Sequence, residues 1–309
     1  MKESHQQYYI KTPQNQKIFC QLFRPNTENT NKRGYIFLLH GYGSHGNRSI
    51  YKRLAEHFTD KQFNFVTIDF HGHGHSDGIR GLVVSPHQLI DDVFCAMSHI
   101  FTHNIPAPFY IIGHSMGGGV AILMAQLYVK LDIDCISLYI ASQLQKLQDF
   151  QKLFCGVICL SPLIDLDTSR LLHYALAKPL SKAWPLAKVP KFLYNDAAHK
   201  CSRVNKISDV NTKSKDKLTY DDPVRYGTAE SLLHLSEIIK TIIPNTDFPF
   251  LIFHDKTDKR VPYKGSESMY EKSSSNQKKL IKVQNGTHDI LVNQYEFVLT
   301  HIDKWIIRI

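Results

Sequence analysis

The 309-residue chain has no Cys-x-x-Cys pair, no apolar run long enough to span a membrane, and no apolar stretch near its start. Its six cysteines, Cys20, Cys95, Cys135, Cys155, Cys159 and Cys201, fit neither a zinc site nor a disulfide framework. They read as small buried hydrophobes. A membrane helix needs about 18 consecutive apolar residues, and a secretory leader needs an apolar core that the polar Met1–Gln7 lacks. Both absences favour a cytoplasmic protein. Glycine and proline, 16 and 13 residues, are too few for a collagen-like or low-complexity chain, and 43% hydrophobic content argues against disorder. A chain of this size buries about three quarters of its unfolded surface and needs no staple.

What is present in excess is positive charge. The formal net charge is +9. Between Arg170 and Lys217 eleven Lys/Arg face three acids, so nearly the whole surplus sits in one segment. That segment carries no zinc-finger or RNA-binding signature and no regular aromatic interleaving, so no nucleic-acid partner is expected.

Short apolar runs alternate with helical patterns. Tyr35–Leu39, Phe63–Phe70, Phe109–Ile112, Val157–Leu160, Pro249–Phe253 and Leu280–Val283 read as strands. Tyr51–Phe58, Pro86–Phe101, Met116–Tyr128 and Tyr295–Ile307 read as helices, the second opened by a Ser85-Pro86 cap. Strands apolar on both faces and separated by helices imply an α/β fold, a mostly parallel doubly wound sheet. Functional sites in such sheets lie at the carboxyl ends of the strands. The alternation fails in two places. Leu131–Phe154 is a long link with a helix near Leu144–Phe154. About 166–222 has no strand, repeats Leu171, Leu172, Ala175 and Leu176 at helical spacing, and turns polar from Ser202 to Lys217. It reads as an insertion over the sheet's carboxyl edge within one domain spanning 1–309.

Gly113-His114-Ser115-Met116-Gly117 follows a strand and opens a helix. A serine at the apex of so tight a turn leaves no room for flanking side chains, hence glycine two places either side. Ser115 is the candidate nucleophile. A serine needs a base and a carboxylate to orient it, and in this type of sheet they follow in the order acid, then histidine. Asp255 and Asp258 follow one late strand, and His288 follows the last. His254 also ends a strand but comes too early to be the base. The tetrahedral oxyanion needs N–H donors. The backbone of Met116 supplies one, and Tyr42, in the early loop His40-Gly41-Tyr42-Gly43, is the natural second. His71-Gly72-His73-Gly74-His75 invites a metal reading, but its glycines argue for a turn and no carboxylate or cysteine completes a site. Gly72-x-Gly74 lacks the third glycine and the helix of a dinucleotide loop. No metal and no cofactor are expected.

Taken in order, His40-Gly41-Tyr42-Gly43, Asp69-Phe70-His71-Gly72-His73-Gly74-His75-Ser76-Asp77-Gly78, Gly113-His114-Ser115-Met116-Gly117-Gly118, Ser161-Pro162-Leu163 and the late Asp and His resemble the monoacylglycerol lipase / lysophospholipase group of the α/β-hydrolase fold. The resemblance runs from about residue 8 to 309 and is loosest in the middle. It implies a helical cap over about 166–222, an acid placed by a Gly-x-x-Asp pattern, and hydrolysis of a single-chain acylglycerol or lysolipid without cofactor. Asp255 stands at that pattern's glycine, which makes Asp258 the acid. The chain departs from the mammalian monoacylglycerol lipases in two further places: Ser44 stands where they carry glutamate, and Leu291 where they carry a second histidine.

The function expected is therefore a serine hydrolase of single-chain acyl lipid esters. The alternatives are a short-chain carboxylesterase, a thioesterase, or a catalytically silent fold used for binding. The basic, amphipathic cap stretch Arg170–Lys191 fits peripheral contact with a membrane surface, or simply a solvated lid. Asn47-Arg48-Ser49 and Asn285-Gly286-Thr287 match the glycosylation pattern, which carries no meaning in a cytosolic chain.

Overall fold

The computed structural model describes residues 4–26, 33–130, 137–166, 178–190 and 216–306. Eight strands form one sheet in the order β1-β2-β4-β3-β5-β6-β7-β8. They are β1 (His5–Lys11), β2 (Lys17–Phe23), β3 (Gly34–Leu39), β4 (Phe63–Asp69), β5 (Phe109–His114), β6 (Phe154–Leu160), β7 (Phe250–His254) and β8 (Lys278–Lys282). From β4 through β8 every pairing is parallel, while β2 pairs antiparallel with both β1 and β4. This is the mostly parallel α/β sheet expected from the alternation of runs, in the α/β-hydrolase form that the resemblance implies. The β1–β2 hairpin was not legible, because β1 (HQQYYIK) is a largely exposed edge with one fully buried residue, Ile10.

Alternate side chains of the central strands face opposite layers. On β3, Tyr35, Phe37 and Leu39 point to one core and Ile36 and Leu38 to the other. The first core is closed by α2 (Pro86–His103), α3 (Met116–Val129), α5 (Leu144–Leu153) and α6 (Tyr226–Ile242). The second is closed by α1 (Ser49–Asp60) and α9 (Tyr295–Ile306). The fold also holds two short helices, α4 (Leu138–Ala141) and α8 (Ile290–Asn293), and α7 (Tyr263–Lys272). Every residue of α3 from Met116 to Tyr128 is buried, so the helix that follows Ser115 is fixed by packing all round. Burying one such Leu or Ile side chain is worth about 1.5–3 kcal/mol. At the start of α2 the Ser85 hydroxyl accepts the Gln88 N–H at 3.2 Å with Pro86 in the first turn, as the sequence predicts.

The expected insertion lies largely outside the described residues. Of it, 178–183 is helical, and Lys188 bridges antiparallel to Arg225 just past the segment's end. Within the long link α4 and α5 stand where one helix was expected.

Candidate active site

Ser115 sits between β5 and α3 with φ +53° and ψ −117°. A non-glycine residue held there stores about 1–3 kcal/mol of backbone strain. Main-chain bonds hold it. Its N–H donates to the Leu160 carbonyl at 3.0 Å, and its own carbonyl accepts from Leu163 at 2.9 Å and from Gly118 at 2.9 Å. The Ser161-Pro162-Leu163 turn after β6 is thus a brace for the tight turn at Ser115. The flanking glycines are steric requirements: a Cβ on Gly113 would lie 2.3 Å from the Gly117 carbonyl oxygen, and one on Gly117 would lie 2.2 Å from that of Leu39.

Asp258 and His288 meet at the ends of β7 and β8. His288 Nδ1 lies 2.8 Å from Asp258 Oδ2. A carboxylate oxygen only accepts, so Nδ1 carries the hydrogen and Nε2 is left with a lone pair. The other oxygen, Oδ1, accepts from the N–H groups of Arg260 at 2.8 Å and Val261 at 3.1 Å. Burial alone would push the Asp258 pKa up. Hydrogen bonds from His254 and His288, the His288 charge and the Arg260 N–H outweigh it and hold the carboxyl well below the ordinary range.

Ser115 reaches this pair through its neighbour. His114 Nε2 lies 3.1 Å from the His288 carbonyl oxygen, and the two rings are 5.1 Å apart. Among the described residues no hydrogen bond joins the Ser115 hydroxyl to His288. Burial, then the charge of His288, brings the His114 pKa down to about 4, so this link is a neutral N–H donor at pH 7. The early loop packs onto the turn at Ser115 as well: a Cβ on Gly41 would lie 3.1 Å from Ser115 Cβ. Among the described residues neither the Tyr42 N–H nor the Met116 N–H donates a hydrogen bond. Met116 is the first residue of α3, where helix geometry leaves the N–H free.

The early loop is also stitched to the chain that returns from the inserted segment. Tyr220 N–H donates to the Gly43 carbonyl at 2.8 Å, and His45 Nε2 lies 2.7 Å from Asp216 Oδ2. Arg80 donates to the carbonyls of Gly74 and Leu218.

Three features escaped the sequence reading. Asp255 does not orient the histidine ring. Its carboxylate instead bridges the acid loop and the histidine loop, accepting from Thr257, Gly286 and Thr287. His254, set aside as a base, is fully buried and lies 3.3 Å from Asp258 Oδ2. Its Nε2 also faces the Val261 carbonyl at 3.2 Å, and its Nδ1 lies 2.7 Å from Ser266 Oγ. The third is Asn293, whose amide donates to the Gly286 carbonyl at 2.8 Å. Position in the loop gave a signal for Asp255; nothing local marked the other two.

The HxHxH stretch does not converge. The His71 ring faces Asp92 at 3.4 Å, His73 Nδ1 bonds the His71 carbonyl, and His75 packs on Phe19. Among the described residues no cluster of His, Cys, Asp and Glu forms a metal site. Leu291, one of the departures from the lipase pattern, is buried in the core beneath α1 and α9.

A family model described as serine aminopeptidase, S33, matches residues 30–295. A monoglyceride lipase homolog of Monkeypox virus is 24% identical over 296 residues, 94% of this chain and 95% of that protein. The monoglyceride lipase of Mus musculus is 26% identical over 298 residues, 94% of this chain and 87% of its own length. Among solved structures, the Paleococcus ferrophilus monoacylglycerol lipase superposes with a TM-score of 0.71 at 19% identity, covering 94% of this chain and 98% of that one.

Proposed function

The chain belongs to the serine aminopeptidase S33 family of hydrolases, and on that premise we propose that Ser115, His288 and Asp258 cleave carboxylic esters of single-chain acyl lipids through an acyl-enzyme. It is a carboxylic ester hydrolase, similar over its length to monoglyceride lipases. The observation that carries the reading is the 2.8 Å bond from His288 Nδ1 to a buried Asp258, beside a serine held at φ +53°.

The chemistry follows from the geometry. His288 Nε2 takes the Ser115 Oγ proton as Oγ bonds to the ester carbonyl carbon. The carbonyl electron pair moves onto oxygen, where the Tyr42 and Met116 N–H groups receive the charge. Asp258, kept ionised, stabilises the imidazolium that forms. The tetrahedral centre collapses, the C–O bond to the alcohol breaks, and the alcohol leaves with the proton from His288. Water, deprotonated by the same nitrogen, then attacks the acyl carbon and releases the fatty acid, returning the proton to Ser115.

A fluorophosphonate probe should label the native protein and fail on Ser115→Ala. No labelling of the native protein would favour a silent binding fold. An ester panel varied in chain and head group should peak at C12–C18 monoacyl substrates; a preference for acetyl esters or thioesters would move the assignment to those classes.

The basic segment supports docking on an anionic lipid surface. Its described part carries Lys178 and Lys182 beside exposed Trp184 and Leu186. Flotation with anionic vesicles at low salt should carry the protein up; failure to float would leave a plain lid. No helix among the described residues is long and apolar enough to cross a membrane. A cytosolic setting is supported by the free thiols Cys20, Cys95, Cys155 and Cys159. Recovery of active enzyme only from an oxidising compartment would refute it.

A further inference from the structure

The loop that carries His288 is strained where no glycine relieves it. Asn285 has φ +55° and Thr287 has φ +50°, the latter a β-branched residue in the left-handed region. Such a backbone persists only when its surroundings over-determine it. Here two successive N–H groups, those of Gly286 and Thr287, converge on one oxygen, Asp255 Oδ2, at 2.7 and 2.8 Å. This is an anion nest filled by a carboxylate. The second oxygen, Oδ1, accepts the Thr257 N–H at 2.7 Å and the Thr257 hydroxyl at 2.8 Å. Asp255 is 2% exposed, and all four bonds are made by one side chain.

The two loops so joined are the ones that bear Asp258 and His288. We propose that Asp255 is a positioning residue: its carboxylate clips the histidine loop to the acid loop and so fixes the His288 ring against Asp258. The proposal rests on His288 being the base. It gives a role to a residue that stands where the lipase pattern has glycine, which could make no such clip. A carboxylate is required for a simple reason. It presents two acceptor oxygens, whereas an amide presents one and turns an N–H₂ toward donors on the other side. Burial would raise the Asp255 pKa, but the N–H groups of Thr257 and Thr287 and the other donors hold it below the ordinary range, so the clip is ionised through the working range.

Asp255→Asn removes half the clip with little change in volume. The groups facing His288 are Asp258, Asp289 and His114, with Arg48 and Arg260 near Asp289. The variant also takes away the Asp255 charge, which by itself moves the limb to lower pH, so the limb is read together with the Nδ1 resonance, which a lost charge alone does not broaden. At a temperature where the variant is folded by circular dichroism, kcat is expected to fall about tenfold or more with KM within about twofold. The acid limb of the rate profile should move to lower pH, because a loosened Asp258 supports the imidazolium less well. The downfield Nδ1 proton resonance of His288, assigned by its loss in His288→Ala, should broaden or vanish. Retained kcat overturns the proposal. So does a fall in kcat with the resonance unmoved, since that is the mark of a merely structural residue. Should Asp255→Asn not fold, Asp255→Gly restores the residue of the lipase pattern and is read in the same way. An active His288→Ala would instead sink the underlying assignment of the base. An inactive His288→Ala beside an unaffected Asp255 variant would sink the clip alone.

Discussion

The nucleophile elbow and the histidine loop are both strained, and they are held by different means. At the elbow, Ser115 is braced by main-chain bonds to Leu160, Leu163 and Gly118, with glycines admitting the close approach. At the histidine loop, Asn285 and Thr287 take left-handed angles and are held by side chains, Asp255 and Asn293. Both braces reach far along the chain, but main-chain bonds make no demand on side chains beyond the glycines at 113 and 117, whereas the histidine loop depends on one side chain, Asp255, 31 and 32 positions away.

Substitutions at each loop sharpen this contrast. The largest effect is expected at the chemical end of the histidine loop. Asp258→Asn should lower kcat on the order of 10⁴-fold, with the fluorophosphonate reaction slowed in step. A fall of less than about tenfold would show that the ring is held without it. At the elbow, Gly117→Ala drives a Cβ into the Leu39 carbonyl and should displace Oγ, costing about a hundredfold in kcat/KM together with a lower Tm. Unchanged kinetics there would mean that the elbow tolerates movement and is not the stiffer loop.

The smallest effect concerns His114, which joins the two. Folded, its pKa is about 4; unfolded, it returns to about 6.5. Between those values the unfolded chain binds the extra proton, so stability is lost as pH falls from 6.5 towards 4. The loss from this residue is on the order of 3 kcal/mol. His114→Gln, which keeps an N–H donor but cannot titrate, should flatten the fall in Tm between pH 7 and 4.5. An equally steep fall in the variant would assign the dependence to His40 and His73, which burial also holds neutral.

The same contrast explains what could be read in advance. The parallel strands β3 to β8, α2, α3 and the tight turn at Ser115 all follow from apolar runs and local punctuation. The acid was ambiguous by residue type alone, since Asp255 and Asp258 follow one strand; geometry gives them different partners. The contact of His254 with Asp258 is a packing fact at the foot of β7 that leaves no local trace. Helices α6 and α7 were missed because their buried faces are partly small and polar. In α6, Thr228, Ser231 and Ser236 are buried because their hydroxyls bond the carbonyls of Gly81, Val84 and Ile164. In α7 the buried set is Gly265, Ser266 and Met269. Neither makes the large apolar stripe that hydropathy detects.

The bonds of Tyr220 to Gly43 and of Asp216 to His45 couple two runs of chain more than 170 positions apart, so a displacement of residues 216–220 is carried directly into the peptide run 43–45 that follows Tyr42.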